Sequence, residues 1–279
     1  MKSIPFIKMH GIGNDFVVLD CLANPWPDTE AGDFGELARC VCPRAFSVGA
    51  DGLLVLQPDS DCDCRMRIFN ADGSEAGMCG NGIRCVARLL FERHVARQEL
   101  TIRTAAGLRT VRVNADNGAF VSATVDMGAP VFEPSCVPVV SDAPLIGAPV
   151  DVGGCMYSLT AVSMGNPHGV IFVDDLASVR FEEHGPMLER HRMWPEGANI
   201  EFGCIRASAD AVDVRTWERG VGETLACGTG ACAVAAAAVA AGLMNYPLDI
   251  VLRGGTLHIY ISADGHILMT GPAEVVFEG

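Results

Sequence analysis

Apolar and polar residues alternate with a period of two along much of this chain, most clearly over residues 66–70, 100–104, 108–113, 120–127, 156–162, 212–217, 257–261 and 267–269. That period puts successive side chains on opposite faces of an extended backbone, so these runs predict half-buried strands. Turn residues such as those of 114–118 and Ala263-Asp264-Gly265 separate them, which predicts mostly antiparallel neighbours. Helical patterning is rarer. Asp33 with Glu36 marks a capping-box start for a helix over 33–41, and two more helices are expected over 81–93 and 229–243. The last is apolar on every face from Ala233 to Ala241, the mark of a buried central helix that a sheet can wrap. Its counterpart carries Arg84, Arg88 and Arg93, which predicts cover on one side only. The proline-rich stretch 129–149 reads as a crossover between two halves.

Two halves are expected because the pattern repeats. Cys79-Gly80-Asn81-Gly82 opens one helix, and Cys227-Gly228-Thr229-Gly230 opens another 148 residues later. At the same offset Arg67-Ile68-Phe69-Asn70 answers Arg215-Thr216-Trp217-Glu218, Glu75 answers Glu223, and Gly49-Ala50-Asp51 answers Gly197-Ala198-Asn199. Gly13-Asn14 answers Gly165-Asn166 after a shift of four. The period is far too long for a solenoid and points to an internal doubling.

Composition narrows the function. With 279 residues, 49% apolar and 19% charged, the chain is ordinary globular material at the size where one core gives way to two. Its net charge of −14 repels a phosphate backbone and an anionic lipid surface, which removes nucleic-acid and membrane roles. Its longest apolar stretch, near 231–241, is too short to span a bilayer, and Pro5 and Lys8 interrupt the start before any export signal forms. A cytoplasmic location is expected, with the 12 cysteines as reduced thiols.

The paired cysteines carry the chemistry. A thiolate is the reactive form, and a helix start favours it by about 0.3–1 kcal/mol, so further tuning must come from neighbours. His168 and Glu218 are the candidates. Gly80, Gly82, Gly228 and Gly230 allow close backbone approach, and two such helix starts together suit a carboxylate and the charge that develops as its α-proton leaves. The substrate would be an amino or hydroxy acid. Pyridoxal chemistry needs a Schiff-base lysine, and the only lysines are Lys2 and Lys8, so no cofactor is expected. No metal is expected either, since Cys40-x-Cys42 and Cys62-x-Cys64 lack the usual zinc spacing. Gly228-x-Gly230-x-x-Ala233 with Asp249 imitates a dinucleotide fingerprint, but Cys227 stands at the turn itself and the first half repeats the pattern.

Together, His10-Gly11-Ile12-Gly13-Asn14-Asp15-Phe16, Phe69-Asn70-Ala71-Asp72-Gly73-Ser74-Glu75, Cys79-Gly80-Asn81-Gly82-Ile83-Arg84-Cys85, Gly165-Asn166-Pro167-His168 and Glu218-Arg219-Gly220-Val221-Gly222-Glu223-Thr224 before Cys227 closely resemble the diaminopimelate epimerase family. The resemblance implies an α/β fold of two pseudo-symmetric halves, each a curved, mainly antiparallel sheet around a central helix. It places the first half at 1–127, completed by a returning strand over 267–279, and the second at 128–266. It implies cofactor-free interconversion of LL- and meso-diaminopimelate, feeding lysine and peptidoglycan precursors, with a small-molecule substrate and room for a homodimer. Cys79 and Cys227 would be the acid/base pair, with His168 and Glu218 tuning them. Backbone N–H groups at Gly80, Asn81, Gly228 and Thr229 would hold the carboxylate at the reacting centre. Asn14, Asn70, Asn166, Asn199, Glu218 and Arg219 would bind the rest, Arg219 taking the distal carboxylate.

One departure is Gly52, where many family members carry glutamine. Two other readings stand beside this one: a cofactor-free racemase of proline or hydroxyproline, and a non-catalytic redox sensor in which the two thiols close as a disulfide. Arg219 and the asparagine set argue against the first, which would not need them. Incorporation of solvent deuterium at a substrate α-position separates either enzyme from the sensor.

Overall fold

The computed structural model describes residues 4–26, 33–208 and 210–279, so Lys2 lies outside the described residues. The chain divides into two compact units, Met1–Asp126 with Thr270–Gly279, and Met127–Met269.

In the first unit β1 (Ile7–Gly11) and β2 (Asn14–Asp20) form a hairpin. Helix α1 (Phe34–Val41) then carries the chain to β3 (Gly52–Gln57), which lies parallel to β2, as such a crossover requires. Asp33 caps α1 by accepting the Glu36 N–H at 2.9 Å. Strand β4 (Cys64–Asn70) returns antiparallel to β3, and β5 (Glu75–Ala76) leads into α2 (Gly80–Leu89). A second crossover brings β6 (Glu99–Thr104) parallel to β4, followed by β7 (Gly107–Asp116) and β8 (Ala119–Asp126).

The second unit repeats this order. A hairpin of β9 (Ala148–Val152) and β10 (Cys155–Ser163) is followed by β11 (Pro167–Phe172), α3 (Phe181–Glu189) and β12 (Asn199–Ile205), which runs parallel to β11. Then come β13 (Ala211–Glu218), β14 (Gly222–Thr224), α4 (Gly228–Ala240), β15 (Leu248–Leu252) parallel to β13, and β16 (Gly255–Ile261). The chain closes with β17 (Ile267–Gly271) and β18 (Glu274–Glu278), and β18 pairs with β1. Strand β18 thus stands beside β1 as β9 stands beside β10.

Each sheet has a helix on both faces, and the two-residue period sorts its side chains between them. On β3, Leu53 and Val55 join Phe34 and Ala38 of α1, while Leu54 meets Gly82 of α2. On β12, Ile200 and Phe202 join Phe181 and Leu188 of α3, while Glu201 meets Gly230 of α4. Because both faces are covered, β3 is an unbroken apolar run as far as Leu56 rather than an alternating one.

The structure differs from the sequence expectation in several places. Helix α2 is buried nearly all round: only Arg88 among its ten residues escapes full burial. Arg84 is 0% exposed, and its guanidinium donates to Gly80 O (3.1 Å), Asn81 Oδ1 (2.9 Å) and Pro272 O (3.0 Å), which offsets the cost of burying a charge. The α-helix ends at Leu89, with one π-turn over Leu90–His94, and α4 ends at Ala240, short of the expected 243. The stretch 129–149 packs within the second unit, where Val131 pairs with Ser163 and Val137 and Val139 join the Phe181 core. Helix α3 escaped the sequence pattern because Gly185-Pro186 sits inside it.

Candidate active site

Both cysteines occupy the same local structure. Cys79 is the N-cap of α2 (φ −139°, ψ 120°), and its Sγ accepts the Gly82 N–H at 3.5 Å. Cys227 is the N-cap of α4 (φ −122°, ψ 113°), and its Sγ accepts the Gly230 N–H at 3.3 Å. Each sulfur therefore does what a serine or aspartate does at most helix starts, satisfying an otherwise orphaned donor. Gly80 and Gly228 are the first residues of their helices, and the N–H groups of the first turn stand beside the thiol.

Around Cys79, the thiol donates to Asn14 Oδ1 at 3.7 Å, and Asn81 Nδ2 donates to the same oxygen at 3.2 Å. Asn14 Nδ2 in turn donates to Asp51 Oδ2 at 2.8 Å. Asp51 and Asp15 share Arg44, and Asp15 also pairs with Lys8 at 2.6 Å. Burial works to raise the Asp15 carboxyl, but Arg44 and Lys8 hold it down to about 2. The half-buried Asn14 is thus braced from behind by an ionic network that the sequence did not single out. Asn70 stands apart from these contacts: it is exposed, and its Nδ2 donates to Ser74 Oγ at 2.9 Å across a turn.

Cys227 is more deeply buried than Cys79. The Thr229 hydroxyl lies 3.4 Å from Sγ, and the Thr224 hydroxyl donates to Glu218 Oε1 at 2.5 Å. His168 is fully buried, with Nδ1 2.8 Å from Glu201 Oε1 and Nε2 3.0 Å from Asn166 Oδ1. Burial pushes the Cys227 thiol well above its usual range, and the charges of Glu218 and then Glu201 push the same way. The hydroxyl of Thr229 and the Gly230 N–H oppose this, the direction expected of a helix start, but are outweighed. Asn199 accepts the Arg219 backbone N–H at 2.9 Å, and the exposed Arg219 side chain donates to Glu196 O at 3.1 Å.

The carboxylate of Glu201 explains the second glycine of the Cys-Gly-Thr-Gly turn. A β-carbon at position 230 would lie 2.6 Å from Glu201 Oε1 and 3.3 Å from Cys227 Sγ. Glu201 was missed by sequence reasoning; its signal was an acidic residue inside the otherwise apolar Asn199–Ile205 strand, on the face opposite Ile200 and Phe202.

The family model described as diaminopimelate epimerase matches residues 6–133 and 160–276. The chain belongs to the diaminopimelate epimerase family. Diaminopimelate epimerase from Carboxydothermus hydrogenoformans is 46% identical over 275 residues, covering 98% of each chain. The one from Desulfitobacterium hafniense is 44% identical over 98% of this chain and 96% of its own. Among solved structures, a hydroxyproline epimerase from Agrobacterium vitis with bound trans-4-hydroxy-L-proline is similar at a TM-score of 0.70. It is 17% identical over 99% of this chain and 90% of its own. A phenazine biosynthesis protein of the PhzF family from Bacillus anthracis is similar at 0.70, with 18% identity over 100% of this chain and 99% of its own. Identities this low show a shared fold and no more.

In this member of the diaminopimelate epimerase family, Gly52 lies beside Phe16 and opposite Asn70, and a β-carbon there would approach Phe69 O to 2.7 Å. A side chain at that position would therefore require the Phe69 backbone to shift. Strand register also displaces Gly49-Ala50-Asp51 by one residue from its expected counterpart: Gly52, not Asp51, holds the place of Asn199.

Proposed function

We propose that the chain carries out its family's isomerisation, converting LL-diaminopimelate to meso-diaminopimelate with Cys79 and Cys227 as the acid/base pair. One sulfur, as thiolate, takes the α-proton. The electron pair left on carbon delocalises into the α-carboxylate, and the other cysteine delivers its thiol proton to the opposite face of the flattened carbon. The products are the inverted centre and a pair of cysteines with their charge states exchanged, so the reverse reaction uses the same groups in swapped roles. First-turn N–H groups at Gly80, Asn81, Gly228 and Thr229 would stabilise the charge on the carboxylate. Asn14, Asn70, Asn166, Asn199, Glu218 and Arg219 would bind the remaining groups, and His168 and Glu218 would adjust the thiols.

The observation that carries this reading is the duplicated N-cap cysteine, each with its sulfur on the N–H three residues ahead at the mouth of a buried helix. The pathway context follows from the family: the product serves lysine and peptidoglycan synthesis. We also read the enzyme as cytoplasmic, consistent with the described cysteines forming no disulfide, and as a homodimer, for which exposed Val276 and Phe277 offer apolar surface. Among the described residues no helix is long and apolar enough to cross a membrane.

The test is incubation with LL-diaminopimelate in heavy water, following the α-hydrogen by NMR. Deuterium should enter as meso product forms, and Cys79→Ala and Cys227→Ala should each slow turnover by at least about a hundredfold. Full turnover by either variant would rule out the two-base scheme.

A further inference from the structure

His168 belongs to the proposed half-site around Cys227, but nothing in the sequence says what holds the ring. Its position in β11 is fixed by register: His168 pairs with Asn199 on β12, and Glu201 follows two residues later on the same face. The corresponding places in the first unit are readable from the equivalent strand pair. Phe16 pairs with Gly52, and Leu54 follows two residues later. Leu54 meets Gly82 of α2 where Glu201 meets Gly230 of α4, which confirms the correspondence. A histidine–glutamate pair in one unit thus stands where the other has phenylalanine and leucine. The scaffold needs only apolar filling at these two sites, so packing does not explain why the second unit buries a carboxylate and an imidazole there.

Burial makes the pair costly unless it is specifically bonded. Both side chains are 0% exposed, and an ionisable group so placed survives when it is hydrogen-bonded. Glu201 Oε1 lies 2.8 Å from His168 Nδ1, while Oε2 has no partner among the described residues. Among the described residues the imidazole is therefore the carboxylate's one hydrogen-bond partner. At the far side of the ring, Nε2 lies 3.0 Å from the Asn166 side chain, which is only half buried and so reaches toward the open side of the half-site. The three residues form a line from the sheet interior outward. In an imidazole the hydrogen bond at one nitrogen decides what the other can do.

We propose that Glu201 is a positioning residue: its Oε1 accepts the Nδ1–H of His168 and fixes the ring so that Nε2 faces the side-chain amide of Asn166, donating to Oδ1 when the ring carries both protons and accepting from the turned amide N–H when it carries one. The inference builds on the reading of His168 and Asn166 as half-site residues, but its central claim concerns the imidazole and can be checked without turnover. Glu201 itself touches no substrate.

Three variants test it: Glu201→Leu, Glu201→Gln, and the double variant His168→Phe/Glu201→Leu, which installs the first unit's own pair and so keeps an apolar filling that the fold already tolerates. The probe is nitrogen-15 NMR of protein labelled at histidine, with kcat and KM for LL-diaminopimelate alongside. The wild type should show His168 protonated at Nδ1, with a slowly exchanging N–H. Glu201→Leu should lose that signal and lower kcat/KM by at least about tenfold, as expected when an imidazole loses the carboxylate that fixes it. Glu201→Gln, which keeps an acceptor oxygen, should retain the Nδ1–H signal and recover most of the activity. In a double-mutant cycle the Glu201→Leu effect should vanish once His168 is phenylalanine. An unprotonated Nδ1 in the wild type, an unchanged His168 spectrum in Glu201→Leu, or an undiminished Glu201→Leu effect in the His168→Phe background would each overturn the proposal. If the protein showed no epimerase activity at all, the proposed function would fail while the spectra still decided the role of Glu201.

Discussion

Phe16 and His168 hold the same place in the two units, each paired across a parallel strand neighbour, with Gly52 and Asn199 respectively. One is an aromatic core residue and the other a buried imidazole bonded at both nitrogens. The duplication that made two matching cysteine turns did not make two matching environments. Cys79 donates to Asn14, an oxygen that Asn81 also bonds, whereas Cys227 has Glu218 and Glu201 acting on its charge. The chemistry of each half is set by what differs, and the backbone by what repeats.

That difference gives the two turn glycines unequal tolerance. Gly230→Ala places a methyl 2.6 Å from a carboxylate oxygen held by His168, and should destabilise the protein by about 1–3 kcal/mol, the range for overpacking. Gly82→Ala meets only a Leu54 methyl at 3.1 Å, which can give way, and a gain in helix propensity of up to about 1 kcal/mol offsets the contact. Thermal melts of the two variants measure this. Equal losses would mean that the carboxylate is not confined as described.

Stability toward acid should depend on Asp15. Its carboxyl is held down to about 2, below its ordinary value, so the unfolded chain binds its proton first as pH falls. The contribution is complete above the ordinary carboxylate value near 4 and disappears as pH drops toward 2. Urea unfolding at pH 5 and pH 3 should show a smaller acid loss in Asp15→Asn than in the wild type. Parallel losses in both proteins would remove Asp15 as a contributor.

Cofactor independence can be examined directly. Lys8 is buried, bonds to the Gly49 carbonyl and pairs with Asp15 at 2.6 Å, so its amine is occupied in structure. Treatment with hydroxylamine and a chelator, followed by dialysis, should leave kcat and KM within about twofold of untreated enzyme, since no Schiff base or ligated metal enters the proposed proton transfers. Recovery of lost activity on adding pyridoxal phosphate or a divalent ion would reverse that conclusion.

The alternating strands β4, β6, β7, β8, β10, β13 and β16 and the apolar helix α4 were legible in the sequence because a single periodicity describes each. Strands β3 and β12 were not, since a strand covered on both faces loses its alternation. Burial of α2 was hidden for a different reason. Its arginines read as a solvent face, while the bonds that let Arg84 sit inside come from its own helix start and from Pro272, far along the chain. In the site, repeated motifs pointed to both cysteines and most of the asparagines. Glu201 belongs to no repeat, and its meaning depends on a strand register that only the folded chain supplies.

Arg84 should therefore matter more than a helix-surface arginine. Arg84→Met keeps much of the volume but takes the donors away from Gly80 O, Asn81 Oδ1 and Pro272 O. A loss of about 2–4 kcal/mol is expected from charged bonds removed and carbonyls left behind. Arg39→Met, on an exposed arginine of α1 that pairs with Glu36 and donates to Asp72 O, should cost far less. Urea denaturation of the two variants gives the comparison, and similar midpoints would show that the buried guanidinium contributes no more than a surface one.

The Cys227 thiol offers the most direct reading of local charge. Burial, then Glu218, then Glu201 favour its protonated form, so in the free enzyme its thiolate fraction at neutral pH is small and grows only as pH rises. Alkylation of Cys227 by iodoacetamide, followed peptide by peptide with mass spectrometry, should accelerate with pH beyond the range of an exposed thiol. Glu218→Gln removes the larger of the two opposing charges while leaving access to the sulfur much the same. Its pH profile should shift to lower values, by an amount a mere change in accessibility cannot produce, because access alters the rate at every pH alike. A profile that keeps its midpoint and only changes height would mean that Glu218 does not act on this thiol through charge.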